Sequence, residues 1–264
     1  MKIWIITMED PLYTNDFIKD VIKAKHKQIV GLTIAKGGRL KVGKKNSKVI
    51  YLLSLLLIMG PFQFLKNVLK TLVFKLQKKI SEFVPFINSS GLEYFANSYG
   101  IPVNFVENPN NDEFINELES ENLDLIINQS QFIIKKPLLN IPSKGMINRH
   151  NALLPRNRGR LTPFWVLYNK EVETGVSIHF VEEGIDSGDI IVQKRFKVTK
   201  CDSFNSIVEK NYELASTAMI EAIELIQQNH DDYLINSDKE ATYNTLPTFS
   251  QALEYRVNLL RFKY

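Results

Sequence analysis

The 264-residue chain has few of the residues on which most metal and redox sites depend. It contains one cysteine, Cys201, and four histidines. A single thiol excludes an internal disulfide framework and any multi-cysteine metal site, and it suits a reducing compartment. We therefore expect a protein without disulfides and without a multi-cysteine metal site.

The sequence also lacks a signal for export and a long hydrophobic run. The amino-terminal MKIWIITMEDP has an apolar stretch too short for a signal peptide and meets acidic residues at once. The apolar run VIYLLSLLLIM at 49–59 is broken by Gly60-Pro61, and it is shorter than the roughly 20 residues that a spanning helix needs. A cytoplasmic location is the default expectation.

Acidic residues are missing from one long segment. From Arg39 to Lys79 there are ten basic residues and no acidic one, so the rest of the chain carries 33 − 10 = 23 basic against 29 acidic residues. Beyond Gly60-Pro61, apolar residues recur at helical spacing, with most of the lysines off that stripe: Leu65, Val68, Leu69, Leu72, Val73, Leu76 and Ile80. The pattern predicts a helical insertion at about 39–85 that contains a basic amphipathic helix.

Two interpretations of this insertion stay open. It could be a helical hairpin that covers part of the core and keeps its lysines in water. It could instead make peripheral contact with the inner membrane through about 49–80, because basic amphipathic helices lie in membrane interfaces.

Short apolar strands alternate with amphipathic helices along the rest of the chain. Strands are predicted at 2–7, 28–34, 101–106, 123–129, 146–148, 174–183 and 190–198, and helices at 15–25, 90–98, 112–119, 162–168 and 203–228. This order predicts an α/β fold: a Rossmann-like open, mostly parallel sheet with flanking helices, plus the basic helical insertion. The first strand runs into TMEDPLY without a GxGxxG motif, which argues against a nucleotide-binding oxidoreductase.

Three polar side chains form the candidate site. Asn148 and His150 are two residues apart at the end of a predicted central strand, so they project on one side, where open α/β sheets place their sites. Asp186 lies between Gly184 and Gly188 in a tight loop that by itself could be an ordinary acidic turn. These three groups suit acyl transfer to a substrate amine. The carboxamide can bind an oxyanion, the imidazole can supply a proton and the carboxylate can orient the ring.

The segment from about 123 to 198 resembles the formyltransferase family. The resemblance is carried by Asn148-x-His150, by the LLP at 153–155, by Arg158-Gly159, by Trp165 and by TGVSIHFVEEGIDSGDI at 174–190. It implies transfer of a formyl group from 10-formyltetrahydrofolate to an amine, without a metal, with Asn148, His150 and Asp186 as the catalytic trio. It also implies a folate site formed by Gln131, Phe132, Ile133, Ile134, Leu154, Pro155, Val181, Glu182 and Ile185.

The same resemblance implies a division of the chain and a class of acceptor. We expect a catalytic domain at 1–229, with the insertion inside it, and a carboxy-terminal extension at 230–264 that packs on the domain. Size and the RG…PFW segment are most similar to sugar N-formyltransferases, which act on nucleotide-linked 4-amino-4-deoxy sugars for surface glycans such as the lipopolysaccharide O-antigen. Arg158 and Arg156, with Arg160 beside them, are expected to bind the diphosphate of such an acceptor.

Other functions stay open at this point. Only 36 residues follow Gln228, and few of them are basic, so we expect no nucleic acid partner. Methionyl-tRNA, glycinamide ribonucleotide or a lipid-linked amino sugar remain alternative acceptors. A formyltetrahydrofolate hydrolase would use the same trio. The intact trio argues against an inert homologue that only binds folate or a partner, and a homodimer is compatible with the sequence.

Overall fold

The structure is a computed structural model that describes residues 1–37, 46–84 and 91–261. The start of the expected insertion, near 39, and the region around its end at 85 lie outside these residues, as does the first residue of the helix expected at 90–98.

A seven-stranded sheet forms the centre of the molecule. Its order is β3 (Val103–Val106), β2 (Ile29–Ala35), β1 (Ile3–Thr7), β4 (Leu125–Gln129), β5 (Met146–His150), β7 (Glu173–Phe180) and β8 (Ile190–Lys197). The first five strands are parallel, and the pairs β5–β7 and β7–β8 are antiparallel. The predicted open, mostly parallel α/β sheet is confirmed.

Helices cover both faces of this sheet because its central strands are apolar on both sides. Along β1, Ile3 and Ile5 pack with α1 (Thr14–Lys25), α4 (Leu92–Ser98) and α8 (Phe204–Gln227), while Trp4 and Ile6 pack with α5 (Asp112–Ser120) and α6 (Lys136–Leu139). Gly31 on β2 lies against the Trp4 ring, and a Cβ there would be 2.3 Å from it. A side chain at that position would displace the indole from the core.

The insertion forms two helices, α2 (Asn46–Met59) and α3 (Pro61–Phe83), with Gly60 between them at a φ of 86°. Proline at the first position of α3 is compatible with a helix start, because the first N–H groups of a helix have no intrahelical partner. Helix α2 packs against α8 and against α9 (Phe249–Arg261). A third apolar cluster joins these helices to α7 (Thr162–Tyr168) through Ile58, Phe164, Phe204, Ala252 and Tyr255.

The last part of the chain differs from its prediction. The sequence predicted a carboxy-terminal extension at 230–264 that packs on the domain. In the structure Tyr243–Asn244 forms β9, which pairs in parallel with β6 (Arg158–Gly159). The helix α9 that follows was not predicted. It is amphipathic only in part, and its buried positions Ala252 and Tyr255 are recognisable only once α2 lies beside them.

Candidate active site

A cavity of about 380 Å³ lies at the carboxyl ends of β4 and β5. It is lined by Asn128, Ser130, Gln131, Phe132, Ile133, Ile134, Asn148, His150, His179, the loop 181–186, Gly159, Arg160, Leu161, Tyr51 and Leu246. Strand ends of this kind are where open α/β sheets bind ligands. A depression of about 480 Å³ lies beyond the amino end of β4, near Leu123 and Asp124, and contains no histidine.

The structure brings His150 and Asp186 together. The Nδ1 atom of His150 is 3.4 Å from Oδ2 of Asp186, and its Nε2 donates to the Asn157 carbonyl at 2.8 Å. Oxygen acceptors therefore face both nitrogens of a ring that is only 6% exposed. The two contacts fix the orientation of the ring, because each nitrogen has one oxygen acceptor in front of it.

Asp186 is held in place by its backbone and by a neighbouring turn. Its φ of 49° lies in the left-handed region, and its Oδ2 accepts from the Gly159 N–H at 2.8 Å. Burial acts to raise the pKa of the Asp186 carboxyl, but His150, His179 and the Gly159 N–H outweigh it, so that the pKa lies below its ordinary value. The carboxylate is ionised at neutral pH.

A second histidine faces the same carboxylate. His179, on β7, donates from Nδ1 to the Phe180 carbonyl at 2.7 Å, and its Nε2 lies 3.7 Å from Oδ1 of Asp186. Burial lowers the pKa of His179 to about 4, with Asp186 opposing and His150 adding to the shift. His179 is therefore neutral at pH 7, and among the described residues its Nε2 has no hydrogen-bond partner.

The carboxamide of Asn148 has a defined orientation. Its Oδ1 accepts from Nε2 of Gln129 at 2.7 Å and from the Arg149 N–H at 2.8 Å. Because the oxygen is engaged on both sides, Nδ2 is the group left to donate, and Asn148 lines the same cavity as His150 and Asp186. The arrangement can place one amide donor and one imidazole beside a substrate oxygen.

The expected folate residues divide into two groups. Gln131, Phe132, Ile133 and Ile134 form one wall of the cavity, and Val181, Glu182 and Ile185 form another. Leu154 and Pro155 were also expected at the folate site, but neither of them lines the cavity. Leu154 is buried below it, with its N–H bonded to Oγ of Ser177 and its carbonyl bonded to Nε2 of Gln193. Leu154 supports the loop after β5 from inside.

The expected role of Arg158 in acceptor binding is also corrected. Its side chain is fully buried and donates to Oδ1 of Asp238, to the hydroxyl of Tyr243 and to two oxygens of Asn236. An arginine engaged in this way cannot reach a phosphate. Arg156 is exposed but lies off the cavity wall, whereas Arg160 lines it.

Sequence reasoning missed residues that come from distant segments. Asn236 donates from Nδ2 to the carbonyls of Asp186 and Gly188, at 2.8 and 2.9 Å, and so fixes the loop that carries the carboxylate. Leu246 and Tyr51 reach the cavity from the carboxy-terminal extension and from α2. For Tyr51 the signal was its hydroxyl inside an otherwise apolar run; for Asn236 no local signal exists.

Metal ligands are not gathered anywhere in the part of the chain that the structure describes. No group of three or more histidine, cysteine, aspartate and glutamate side chains in residues 1–37, 46–84 and 91–261 is arranged to hold an ion. The groups that line the cavity include amide, imidazole and carboxylate side chains.

Comparison with known sequences gives a consistent result. The family model described as formyl transferase matches residues 89–223, just over half of the chain. The methionyl-tRNA formyltransferase of Fusobacterium nucleatum is 32% identical over 143 residues, which are 54% of this chain and 46% of that protein. The corresponding protein of Wolbachia pipientis is 39% identical over 111 residues, 42% of this chain and 36% of the relative. The chain spans about half the length of the curated relatives it matches, or less.

Solved structures share the fold at low identity. Glycinamide ribonucleotide transformylase 1 from Symbiobacterium toebii has a TM-score of 0.60 at 15% identity, over 90% of this chain and 94% of that one. The N-formyltransferase from Helicobacter canadensis, in complex with folinic acid and dTDP-3-aminofucose, has a TM-score of 0.58 at 16% identity, over 100% of this chain and 81% of that one.

Proposed function

Because this chain belongs to the formyl transferase family, we propose that it transfers the formyl group of 10-formyltetrahydrofolate to the amine of a small acceptor, a nucleotide-linked amino sugar. The observation that carries the proposal is the convergence of Asn148, His150 and Asp186 on one cavity. The walls of that cavity are the two segments that the resemblance assigns to folate, 131–134 and 181–185.

Asn148 and His150 would stabilise the oxyanion that forms when the amine attacks the formyl carbon. Nδ2 of Asn148 is the free donor of an oriented carboxamide, and an oriented donor of this kind contributes about 10²–10³ to the rate. His150, held between Asp186 and the Asn157 carbonyl, would provide a second hydrogen-bond donor. The 3.4 Å contact to Asp186 is long for a hydrogen bond, so the Nδ1 hydrogen can be shared with a substrate oxygen or a water molecule.

Asp186 would accept the proton that the attacking amine loses. A bond forms between the amine nitrogen and the formyl carbon, the bond from that carbon to the folate nitrogen breaks, and one proton passes from the entering to the departing nitrogen. Asp186 is ionised and faces the cavity, so it can accept this proton directly or through water. His150, in contact with the same carboxylate, is placed to return a proton to the leaving nitrogen.

The cavity fits the co-substrate in chemistry. Phe132, Ile134, Val181 and Ile185 provide apolar walls for a flat heteroaromatic ring, and the trio lies at the ends of β5 and the 181–186 loop. A volume of about 380 Å³ is within the usual range for a small-molecule site. The Helicobacter canadensis structure, which shares the fold, was determined with folinic acid bound.

The acceptor class rests on fewer observations. Arg160 and Tyr51 supply a cation and a hydroxyl at the cavity wall, and a guanidinium suits a phosphate oxygen. The structure from Helicobacter canadensis contains dTDP-3-aminofucose, which is a nucleotide-linked amino sugar. The curated relatives act on methionyl-tRNA by name, and tRNA is therefore the main competing acceptor. We place the reaction in the cytoplasm, where a free thiol such as exposed Cys201 stays reduced.

A turnover screen tests the proposal. The protein is incubated with 10-formyltetrahydrofolate and, in separate reactions, nucleotide-linked amino sugars, glycinamide ribonucleotide, methionyl-tRNA, a lipid-linked amino sugar or water alone. We expect release of tetrahydrofolate and formylation of a nucleotide-linked amino sugar, observed by mass spectrometry. Equal folate deformylation with water alone would identify a hydrolase, formylation of another amine would replace the acceptor, and no turnover with any of them would identify an inert homologue.

A further inference from the structure

Helix α3 exposes its apolar side and turns its polar side towards the protein. Eight of its apolar residues from Phe62 to Ile80 are solvent-exposed, and Leu65, Leu72 and Leu76 are 57%, 56% and 59% exposed. At 100° per residue these side chains form one stripe: Phe62, Leu65, Val68, Leu69, Leu72, Val73, Leu76 and Ile80. Globular proteins place such a stripe against the core.

Polar contacts hold the opposite side of α3 to the protein. Lys78 forms an ion pair with Glu9 at 2.6 Å, and Lys70 donates to the Leu12 carbonyl at 3.1 Å. Asn67, half-buried on the same side, contacts the sulfur of Met59 at the end of α2. Two lysines of α3, Lys70 and Lys78, therefore bond to the protein, while the leucines of the stripe face outward.

Positive charge surrounds the exposed stripe. Lys66 and Lys75 border it on its two sides at helical spacing, and Lys79 lies within it. No aspartate or glutamate occurs from residue 46 to residue 80. Among the described residues no ion pair is found for these three lysines, although lysines elsewhere, such as Lys25 and Lys194, are paired with glutamates.

The neighbouring helices extend this surface. Val49, Ile50, Leu52 and Leu53 of α2 are exposed, as are Leu253, Val257 and Leu260 of α9, which packs on α2. No single helix in the described part of the chain is long and apolar enough to cross a bilayer. Taken together, α2 and α3 have the length and composition of a membrane span, but the pair Lys48–Met59 and Pro61–Ser81 is bent by 119° at the break between them.

We propose that the α2–α3 surface, defined by the exposed apolar residues of 49–80 and by Lys66, Lys75 and Lys79, docks on an anionic phospholipid bilayer. The apolar stripe would enter the boundary between headgroups and acyl chains, and the lysines would contact headgroup phosphates. A second copy of the chain is the less suitable occupant. A symmetric pairing would bring two sets of lysines together without a carboxylate from this segment between them.

Docking would also place the candidate active site next to the bilayer, because α2 contributes Tyr51 to the cavity and Leu52 and Leu53 to the surface. The proposal does not depend on the formyl transfer proposed above, since it concerns only the outer side of these helices. Its test is therefore independent of turnover.

Flotation of the full chain with vesicles tests the proposal. Vesicles of phosphatidylglycerol and phosphatidylcholine in equal parts are compared with vesicles of phosphatidylcholine alone, at low and at high salt. We expect the protein to float with the anionic vesicles at low salt, to lose at least tenfold in partitioning at high salt, and to remain largely unbound to phosphatidylcholine. Failure to float with anionic vesicles at low salt would overturn the proposal.

Matched variants locate the contact. The double variant Leu72→Glu with Leu76→Glu reverses the character of the stripe without touching a buried residue, and Lys66→Glu with Lys79→Glu reverses the charge. Val172→Glu, at a residue that is 77% exposed outside these helices, is the control. We expect both double variants to lose vesicle binding while keeping the far-ultraviolet circular dichroism and melting temperature of the control.

Two further results would contradict the proposal. Equal flotation of all variants would show that lipid binds elsewhere. Sedimentation velocity in the absence of lipid tests whether the surface binds another copy of the chain. The contradicting result is a wild-type dimer that the double variant Leu72→Glu with Leu76→Glu dissociates. That outcome would assign the surface to a second copy of the chain.

Discussion

The imidazole of His150 lies between two acceptors that come from different parts of the chain. Its Nδ1 is 3.4 Å from the carboxylate of Asp186, 36 positions further along, and its Nε2 is 2.8 Å from the carbonyl of Asn157. This relationship gives the ring a fixed orientation, with an oxygen acceptor facing each nitrogen. The proposed chemistry depends on that ring lying next to a carboxylate and to the amide of Asn148.

The first prediction concerns the carboxylate. Asp186→Asn keeps the size of the side chain and removes its charge, so we expect kcat to fall by about 10²–10⁴ because proton transfer is lost. Single-turnover kinetics with 10-formyltetrahydrofolate measures the change, and binding of a non-reactive folate analogue shows whether the cavity is intact. Wild-type kcat in the variant would remove Asp186 from the mechanism.

The second prediction concerns the amide donor. Asn148→Ala should lower kcat by about 10²–10³, with a smaller effect on KM, because the donor acts on charge that develops during the reaction. Asn205→Ala is the matched control, since it removes the same group from a site outside the cavity, where Nδ2 bonds to the Met59 carbonyl. An effect of equal size in the control would show that the loss is structural.

The third prediction separates two neighbouring arginines. Arg158→Lys should reduce the free energy of unfolding by about 1–3 kcal/mol, because acceptors such as Asn236 lose buried partners. Arg160→Ala should leave stability unchanged and raise KM for a nucleotide-linked acceptor. Urea denaturation and steady-state kinetics on both variants provide the comparison. If Arg158→Lys raised KM at unchanged stability, the structural role assigned to Arg158 would be wrong.

The fourth prediction concerns the support of the 181–186 loop. Asn236→Ala removes the two donors that hold the carbonyls of Asp186 and Gly188. We expect a loss of stability of about 1–3 kcal/mol together with a fall in kcat that is smaller than in Asp186→Asn. Asn236→Asp keeps an oxygen acceptor for Arg158 but has no N–H to donate to the loop. It should therefore also lower kcat. Unchanged kcat in both variants would show that the loop keeps its position without Asn236.

The fifth prediction concerns pH. Burial lowers the pKa of His179 from 6.5 to about 4. Between these values the unfolded chain binds a proton that the folded chain does not, so stability falls as the pH decreases through this window. The expected loss is on the order of 3 kcal/mol.

Urea denaturation at pH 7, 5.5 and 4.5 measures this effect, with His179→Asn as the comparison. The variant should lose less stability than the wild type over the same interval. The pKa of Asp186 is lowered from its ordinary value of 3.8, so its charge also stabilises the folded chain. This contribution to stability is lost separately, as the pH falls below 3.8 and through the pKa of the folded state. Parallel pH dependence in the wild type and the variant would show that His179 does not titrate as described.

Much of the fold and part of the site could be predicted from local sequence. Strands such as β1 and β4 are short, continuously apolar runs because helices cover both of their faces, and their positions were predicted to within about two residues. The start of α8 was predicted at 203, and the structure shows Ser203 as the N-cap of this helix. Asn148 and His150 were predicted to share a side because the backbone of β5 is extended there.

Other features depend on partners that are far away in sequence. The arginine motif around 156–160 gives no indication that Arg158 is enclosed by Asn236, Asp238 and Tyr243 while Arg160 reaches the cavity. The amphipathic spacing of α3 was correctly predicted, but spacing defines two sides of a helix without stating which one meets the protein. Only the contacts with Glu9 and Leu12 decide that the apolar side is exposed.

The sequence alone determined the period of each strand and helix, the two-residue step that puts a carboxamide beside an imidazole, and the family to which these segments are similar. Tertiary structure decided which buried cation stabilises the fold, which segment supports the carboxylate loop and which helix face turns away from the protein. The physical reason is the range of the interactions. Backbone geometry is set within a few residues, whereas burial and pairing are set by whichever distant side chains the folded chain brings into contact.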